Sequence, residues 1–128
     1  MRISLRGPAT QAFPIEEFFD GDVAPSEDYP GLVEVQRLYW FDFHDWGPVE
    51  WEELEAIYPE LPGWQQSGEL PYWFGVDDDA PPVLSASVEL PGIQFWGIVA
   101  EAAWMEWEKT FHTKLRQSNL PLYTFTDD

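Results

Sequence analysis

Between Gly7 and Glu108 the chain carries 22 carboxylates and a single basic residue, Arg37. Arg2 and Arg6 precede that stretch, Lys109, Lys114 and Arg116 follow it, and the net charge is −18. Ordinary solvated surfaces intersperse lysine with glutamate, and here there is almost nothing to intersperse. Any fold of this segment must therefore keep its acids in water and spread apart, and must draw its cohesion from apolar burial. The same stretch holds all eight tryptophans, in a chain that is 45% hydrophobic and 17% aromatic. That apolar mass separates it from the acidic sequences that stay disordered for lack of a core. The chain should fold.

At 128 residues it is read as a single domain spanning 1–128, long enough to bury roughly two thirds of its unfolded surface. Twelve prolines and nine glycines punctuate it into short elements joined by turns, which argues against a helical bundle. Residues 2–6 alternate as a short strand with Ile3 and Leu5 inward. Residues 7–31, rich in Pro, Gly and acid, read mostly as loop with Phe13, Ile15, Phe18 and Phe19 as apolar anchors. Residues 32–43 form the clearest strand, with Val33, Val35, Arg37, Tyr39, Phe41 and Phe43 on one face. Arg37 thus falls on the apolar face, where an unpaired charge is costly. It is expected either to pair with a carboxylate there, or to escape through a β-bulge or a snorkelling stem at an edge.

Pro48 and the glutamates that follow predict a helix over about 48–58, with Trp51, Leu54, Tyr58 and Leu61 along one stripe and Pro59 ending it. Residues 59–71 read as loop. Strands are expected over 72–76, 84–90 and 93–99, the first two joined by a hairpin-type loop at 77–82. A second helix is expected over about 98–118, where Trp104, Trp107, Phe111 and Leu115 recur at helical spacing. Residues 120–125 complete the pattern as a short strand. The sum is an α+β domain with a mainly antiparallel sheet of about four to six strands and two packed helices.

Acid this dense repels nucleic acid and anionic membranes and attracts cationic proteins or metal ions. No direct nucleic-acid contact and no membrane attachment are expected. Cysteine is absent, which excludes disulfides, thiolate zinc sites and a cysteine nucleophile. The first residues lack the apolar stretch of a secretion signal and no run approaches a membrane span, so a cytoplasmic location is expected.

Two stretches stand out as binding surfaces. Asp42, Asp45, Trp46, Glu50, Glu52 and Glu53, with Glu55, cluster around a strand–turn–helix junction, an acidic patch with an aromatic anchor suited to a basic surface; the alternative is a solvated helix face. Asp77, Asp78 and Asp79 crowd three charges onto one loop, which a partner's Lys/Arg cluster or a weakly held divalent cation would relieve; the alternative is a plain exposed turn. The spacing of a dedicated calcium loop is missing. His44 with Asp42 offers only two metal ligands, and Glu108 with His112 reads as an ordinary i, i+4 surface pair. No metal site, cofactor or catalytic set is assigned. No serine stands in a nucleophile elbow, and paired carboxylates are expected by chance among 24 acids.

In size and charge the chain resembles the small acidic immunity and nucleic-acid-mimic proteins of bacteria and phages. The resemblance implies an inhibitor that occludes a basic partner protein, such as a toxin or a nucleic-acid-binding protein, and it carries over no site residue. The alternatives are an accessory or structural subunit of a complex and, further off, a carboxylate-based hydrolase; an enzyme is the less favoured class. Self-repulsion at −18 also predicts that the melting temperature rises as ionic strength goes from about 0.01 M to about 0.1 M, where the screening length contracts from roughly 30 to 10 Å. A melting temperature that falls over that interval would contradict it.

Overall fold

The alternation that begins at Val33 builds one of the inner strands of a six-stranded sheet. The computed structural model describes residues 2–8, 19–41, 43, 46–66, 70–89, 92–118 and 120–126, and for 2–8 and 121–126 the backbone alone. In chain order the elements are β1 (Arg2–Pro8), β2 (Phe19–Pro25), β3 (Val33–Trp40), α1 (Pro48–Ile57) running into a 3₁₀ turn (Tyr58–Glu60), β4 (Trp64–Gln65), β5 (Tyr72–Trp73), β6 (Val83–Glu89), β7 (Gly92–Val99), α2 (Glu101–Arg116) and β8 (Pro121–Thr126). The main sheet runs β2-β3-β7-β6-β5-β4 with every neighbour antiparallel, and β1 pairs with β8 in a separate antiparallel ribbon. The architecture is α+β, with two helices packed on an antiparallel sheet.

Register decides which side chains share a face. Arg37 stands opposite Phe95, Tyr39 opposite Ile93, Ala86 opposite Phe95 and Trp73 opposite Leu84. Those residues, with Val33 and Val35, form the covered face, and the helices lie on it. Phe111 of α2 meets Tyr39 and Phe95 edge-on at 5.0 and 5.3 Å between centroids, and Trp107 meets Phe95 and Trp73. Tyr58, at the end of α1, meets Trp73 and Phe95 on the same face. The helical stripe of Trp104, Trp107, Phe111 and Leu115 is buried throughout. On the opposite face Gln36 is exposed and Leu38, Trp40, Gln94 and Trp96 are half-buried, the mixed pattern of a sheet side on which neither described helix lies.

Local chemistry explains the helix ends. The Glu50 carboxylate accepts from the Gly47 N–H at 2.6 Å, closing the start of α1, and Pro59 converts its end to a 3₁₀ turn. α2 carries Glu101 in its first turn and Lys114 and Arg116 in its last, the favourable order for the helix dipole. Its start falls at 101 and not 98 because Ile98 and Val99 complete β7, where each is paired to two neighbouring strands or to β3.

β2 is the element that composition hides. Phe-Asp-Gly-Asp-Val-Ala-Pro reads as loop, yet all seven residues pair with β3. Being an edge strand, it tolerates Pro25 at its end. Gly21 sits at φ +119°, and a Cβ there would run into the Gln36 carbonyl oxygen of β3, so only glycine fits this position. The reading of an apolar-anchored loop over residues 9–18 lies outside the described residues.

Candidate functional site

The antiparallel order places the two acidic stretches at opposite ends of the sheet. β3 begins at Val33 beside the end of β7 at Val99, and β6 begins at Val83 opposite Ile98. The turn at 26–32, the loop at 74–82 and the start of α2 therefore share one end. Trp40 of β3 stands opposite Gly92 of β7 at the other end, and the chain leaves there for residues 41–47 and α1.

At the first end Glu27, Asp28, Asp77, Asp78, Asp79 and Glu101 are all exposed. Tyr29 brings the two loops together: its hydroxyl lies 3.5 Å from the Asp79 carbonyl oxygen, across 50 residues of sequence. The turn that carries Tyr29 is itself held by Ser26, whose Oγ accepts from the Tyr29 N–H at 3.2 Å and whose N–H donates to the Leu32 carbonyl at 2.9 Å. In the second loop Asp77 does local work. Its Oδ1 accepts from the Asp79 N–H at 2.9 Å and its carbonyl accepts from the Ala80 N–H at 3.0 Å, an Asx-turn that stabilises the loop. Asp78 and Asp79 are left presenting their charge to water. The exposed Val76 (53%) stands next to them.

At the other end Asp42, Asp45 and His44 lie outside the described residues. Trp46 is half-buried and packs on aromatic rings: Phe41, Phe43 and Trp51 lie at 5.4, 4.9 and 4.6 Å between centroids. It belongs to the edge of the core and is not a free-standing anchor. Glu50 is committed to Gly47, Glu53 is half-buried, and Glu52 is exposed. Of the tryptophans outside the helical stripes, Trp40, Trp64 and Trp96 are half-buried, while Trp73 is fully buried with its Nε1–H donating to the Tyr58 carbonyl at 3.0 Å.

The lone central cation is also spoken for. Arg37 meets Glu108 of α2 through two bonds, Nε to Oε2 at 3.0 Å and Nη2 to Oε1 at 3.2 Å, and its Nη1 donates to the Gly21 carbonyl at 2.9 Å. Phe19 covers the guanidinium at 4.5 Å and Trp104 lies at 5.6 Å, both within cation–π range. The Tyr39 hydroxyl donates to Glu108 Oε2 at 2.8 Å and lies 2.6 Å from His112 Nε2. Glu108 and His112 are therefore part of a largely enclosed network, with side chains 16% and 14% exposed, and not a surface pair. At the surface, Lys114 pairs with Glu60 at 2.6 Å.

A third feature escaped the sequence. An open groove of about 400 Å³ runs between α1 and the β4–β6 side of the sheet, with Trp51, Tyr58 and Trp64 among its walls. Tyr58 is 6% exposed, and burial, with the Glu55 carboxylate as second cause, pushes its phenol well above the ordinary tyrosine value. It stays a neutral hydroxyl. The signal available in the sequence was the spacing of Trp51, Glu55 and Tyr58 on one helix, but their opposite wall comes from segments far along the chain.

Among the described residues no three His, Asp or Glu side chains converge to hold a metal ion, and no helix is long and apolar enough to cross a membrane. The chain matches no protein-family model, no curated protein and no solved structure.

Proposed function

We propose that this chain is a binding protein that occludes a basic partner protein, in the manner of an immunity-type or nucleic-acid-mimic inhibitor, with the sheet end bearing Asp78 and Asp79 as its contact surface. The observation that carries the reading is the union of two acidic loops, distant in sequence, through Tyr29 and Asp79. Glu27 and Asp28 thereby share one end of the sheet with Asp77, Asp78 and Asp79, on turns held by their own hydrogen bonds. A field of that sign accelerates encounter with a cationic surface, and fixed loops reduce the ordering cost of docking. The stretch around Trp46 is the weaker candidate, because its tryptophan is packed and Glu50 is used for capping.

The test is affinity capture from the native host lysate on immobilised protein at low salt, eluted by a salt gradient. A basic protein released at intermediate salt is expected, and reversing both charges in Asp78→Lys/Asp79→Lys should weaken its retention at least about tenfold. Glu52→Lys, at the other end of the sheet, should leave retention nearly unchanged. Equal retention by both variants, or a partner that survives strong salt, would overturn the reading in favour of an accessory subunit with an apolar interface.

A further inference from the structure

The groove beside α1 has the makings of a small-ligand site. Its volume of about 400 Å³ falls within the roughly 300–1,000 Å³ of such sites. Trp51, Tyr58 and Trp64 give it aromatic walls, and Leu70 and Val88 stand on it 45% and 53% exposed. Large apolar side chains left this open around a concavity are what a bound molecule would cover. Among the described residues that line it, Glu55 is the one charged group.

Tyr58 supplies a polar group on the groove wall. Only 6% of the residue is accessible. Ring contacts to Trp73 and Phe95 at 5.1 and 6.5 Å fix the phenol in place on the groove wall.

We propose that this groove binds a small organic cation, a primary ammonium or guanidinium group carried on an apolar or aromatic body. Each part of the wall selects for one part of that ligand. The indole and phenol faces attract both an apolar body and a cation beside it. Glu55 opposes the positive charge. The Tyr58 oxygen accepts an N–H, which favours an ammonium or guanidinium over a fully alkylated nitrogen. Anions are excluded by Glu55 and by a net charge of −18, while a neutral body of the same shape would leave the carboxylate unanswered. The occupant is a free small molecule: the volume accommodates a single ligand, and the groove reaches Val88 and Ile93, toward the sheet end away from Asp78 and Asp79. Its test is therefore separate from that of the acidic loops.

Isothermal titration calorimetry of the full chain with 2-phenylethylammonium chloride is the first experiment, with 2-phenylethanol and 3-phenylpropanoate as neutral and anionic counterparts. One saturable site with Kd below about 1 mM is expected for the ammonium, at least about tenfold tighter than the alcohol, with no binding of the carboxylate. Glu55→Gln should weaken ammonium binding about tenfold, and Tyr58→Phe should weaken it severalfold. Val88→Trp, at an exposed position, should fill the groove and abolish binding while leaving the melting temperature nearly unchanged. Asp78→Asn/Asp79→Asn removes more charge but far from the groove, and should alter the affinity less than about twofold. The proposal is overturned by absence of saturable binding, by equal affinity for ammonium and alcohol, by an undiminished affinity in Glu55→Gln, or by an equal loss in the Asp78/Asp79 variant.

Discussion

Glu108→Ala should cost the fold about 3 kcal/mol, although it removes one of 24 acids from a chain with too many. Glu108 receives two bonds from Arg37 and one from Tyr39, and the Arg37 side chain is only 15% exposed. Truncation leaves a guanidinium that water reaches poorly and whose remaining bond goes to the Gly21 carbonyl. Most of the loss is the cost of an uncompensated charge, not the worth of the pair. Arg37→Met should destabilise by a similar amount. The double variant Arg37→Met/Glu108→Ala should then lose only about 3–4 kcal/mol in all, little more than either single change, since replacing both partners removes the orphaned charge. Urea unfolding of the four proteins completes the cycle, with a coupling of about 2–3 kcal/mol expected. Additive losses would show that Arg37 and Glu108 contribute independently and that the network carries little energy.

Trp73→Ala should be more damaging still, at about 4–5 kcal/mol. Trp73 is fully buried between sheet and helices, in ring contact with Tyr58, Trp64, Phe95 and Trp107, and its Nε1–H satisfies the Tyr58 carbonyl. Truncation opens a cavity and leaves the Tyr58 carbonyl with the Leu61 N–H alone. Against the typical 5–15 kcal/mol of a whole domain, such a loss brings the chain close to unfolding. Trp73→Phe keeps most of the apolar contact and should cost about 1–3 kcal/mol, largely for the missing donor. Met105→Ala, at a position 63% exposed on α2, should change stability by less than about 0.5 kcal/mol. Near-ultraviolet circular dichroism through a urea titration reads all three. A Trp73→Ala midpoint equal to that of Met105→Ala would mean that β5 does not sit in the core.

Both predictions depend on pairings that local pattern does not contain. The face of β3 that holds Arg37 was legible from alternation, because strand periodicity is a property of neighbours in the chain. The stripe of Trp104, Trp107, Phe111 and Leu115 was legible for the same reason with a different period. Trp73 was not: β5 is two residues long, too short for a pattern, and its inward direction comes from pairing with Leu84. β2 was hidden by its Asp, Gly and Pro content, since a partner strand can impose extended structure on a sequence that does not favour it alone. The two-residue β4, inside a stretch read as loop, owes its existence to β5 in the same way.

The candidate sites divide similarly. That residues 77–79 are exposed and charged follows from composition, but their union with Glu27 and Asp28 required the two loops to meet. Trp46 in the midst of carboxylates suggested an exposed anchor, and the ring contacts of Phe41, Phe43 and Trp51 drew it inward. Glu108 and His112 read as a solvated helix pair because nothing local announces that Tyr39 and Arg37 will reach them across a helix–sheet interface.

By itself, then, the amino-acid order determined the α+β class, the acid-outside and aromatic-inside division, and the inward faces of β3 and α2. These follow from composition and from periodicities that need only a few consecutive residues. The tertiary structure alone decided which carboxylate answers Arg37, that residues 19–25 form a strand, which acidic loops share an end of the sheet, and that a groove opens beside Tyr58. Each is a meeting of segments separated by up to 71 residues, and such meetings are selected by the packing of the whole chain, where one apolar face must find another before any polar pair can form.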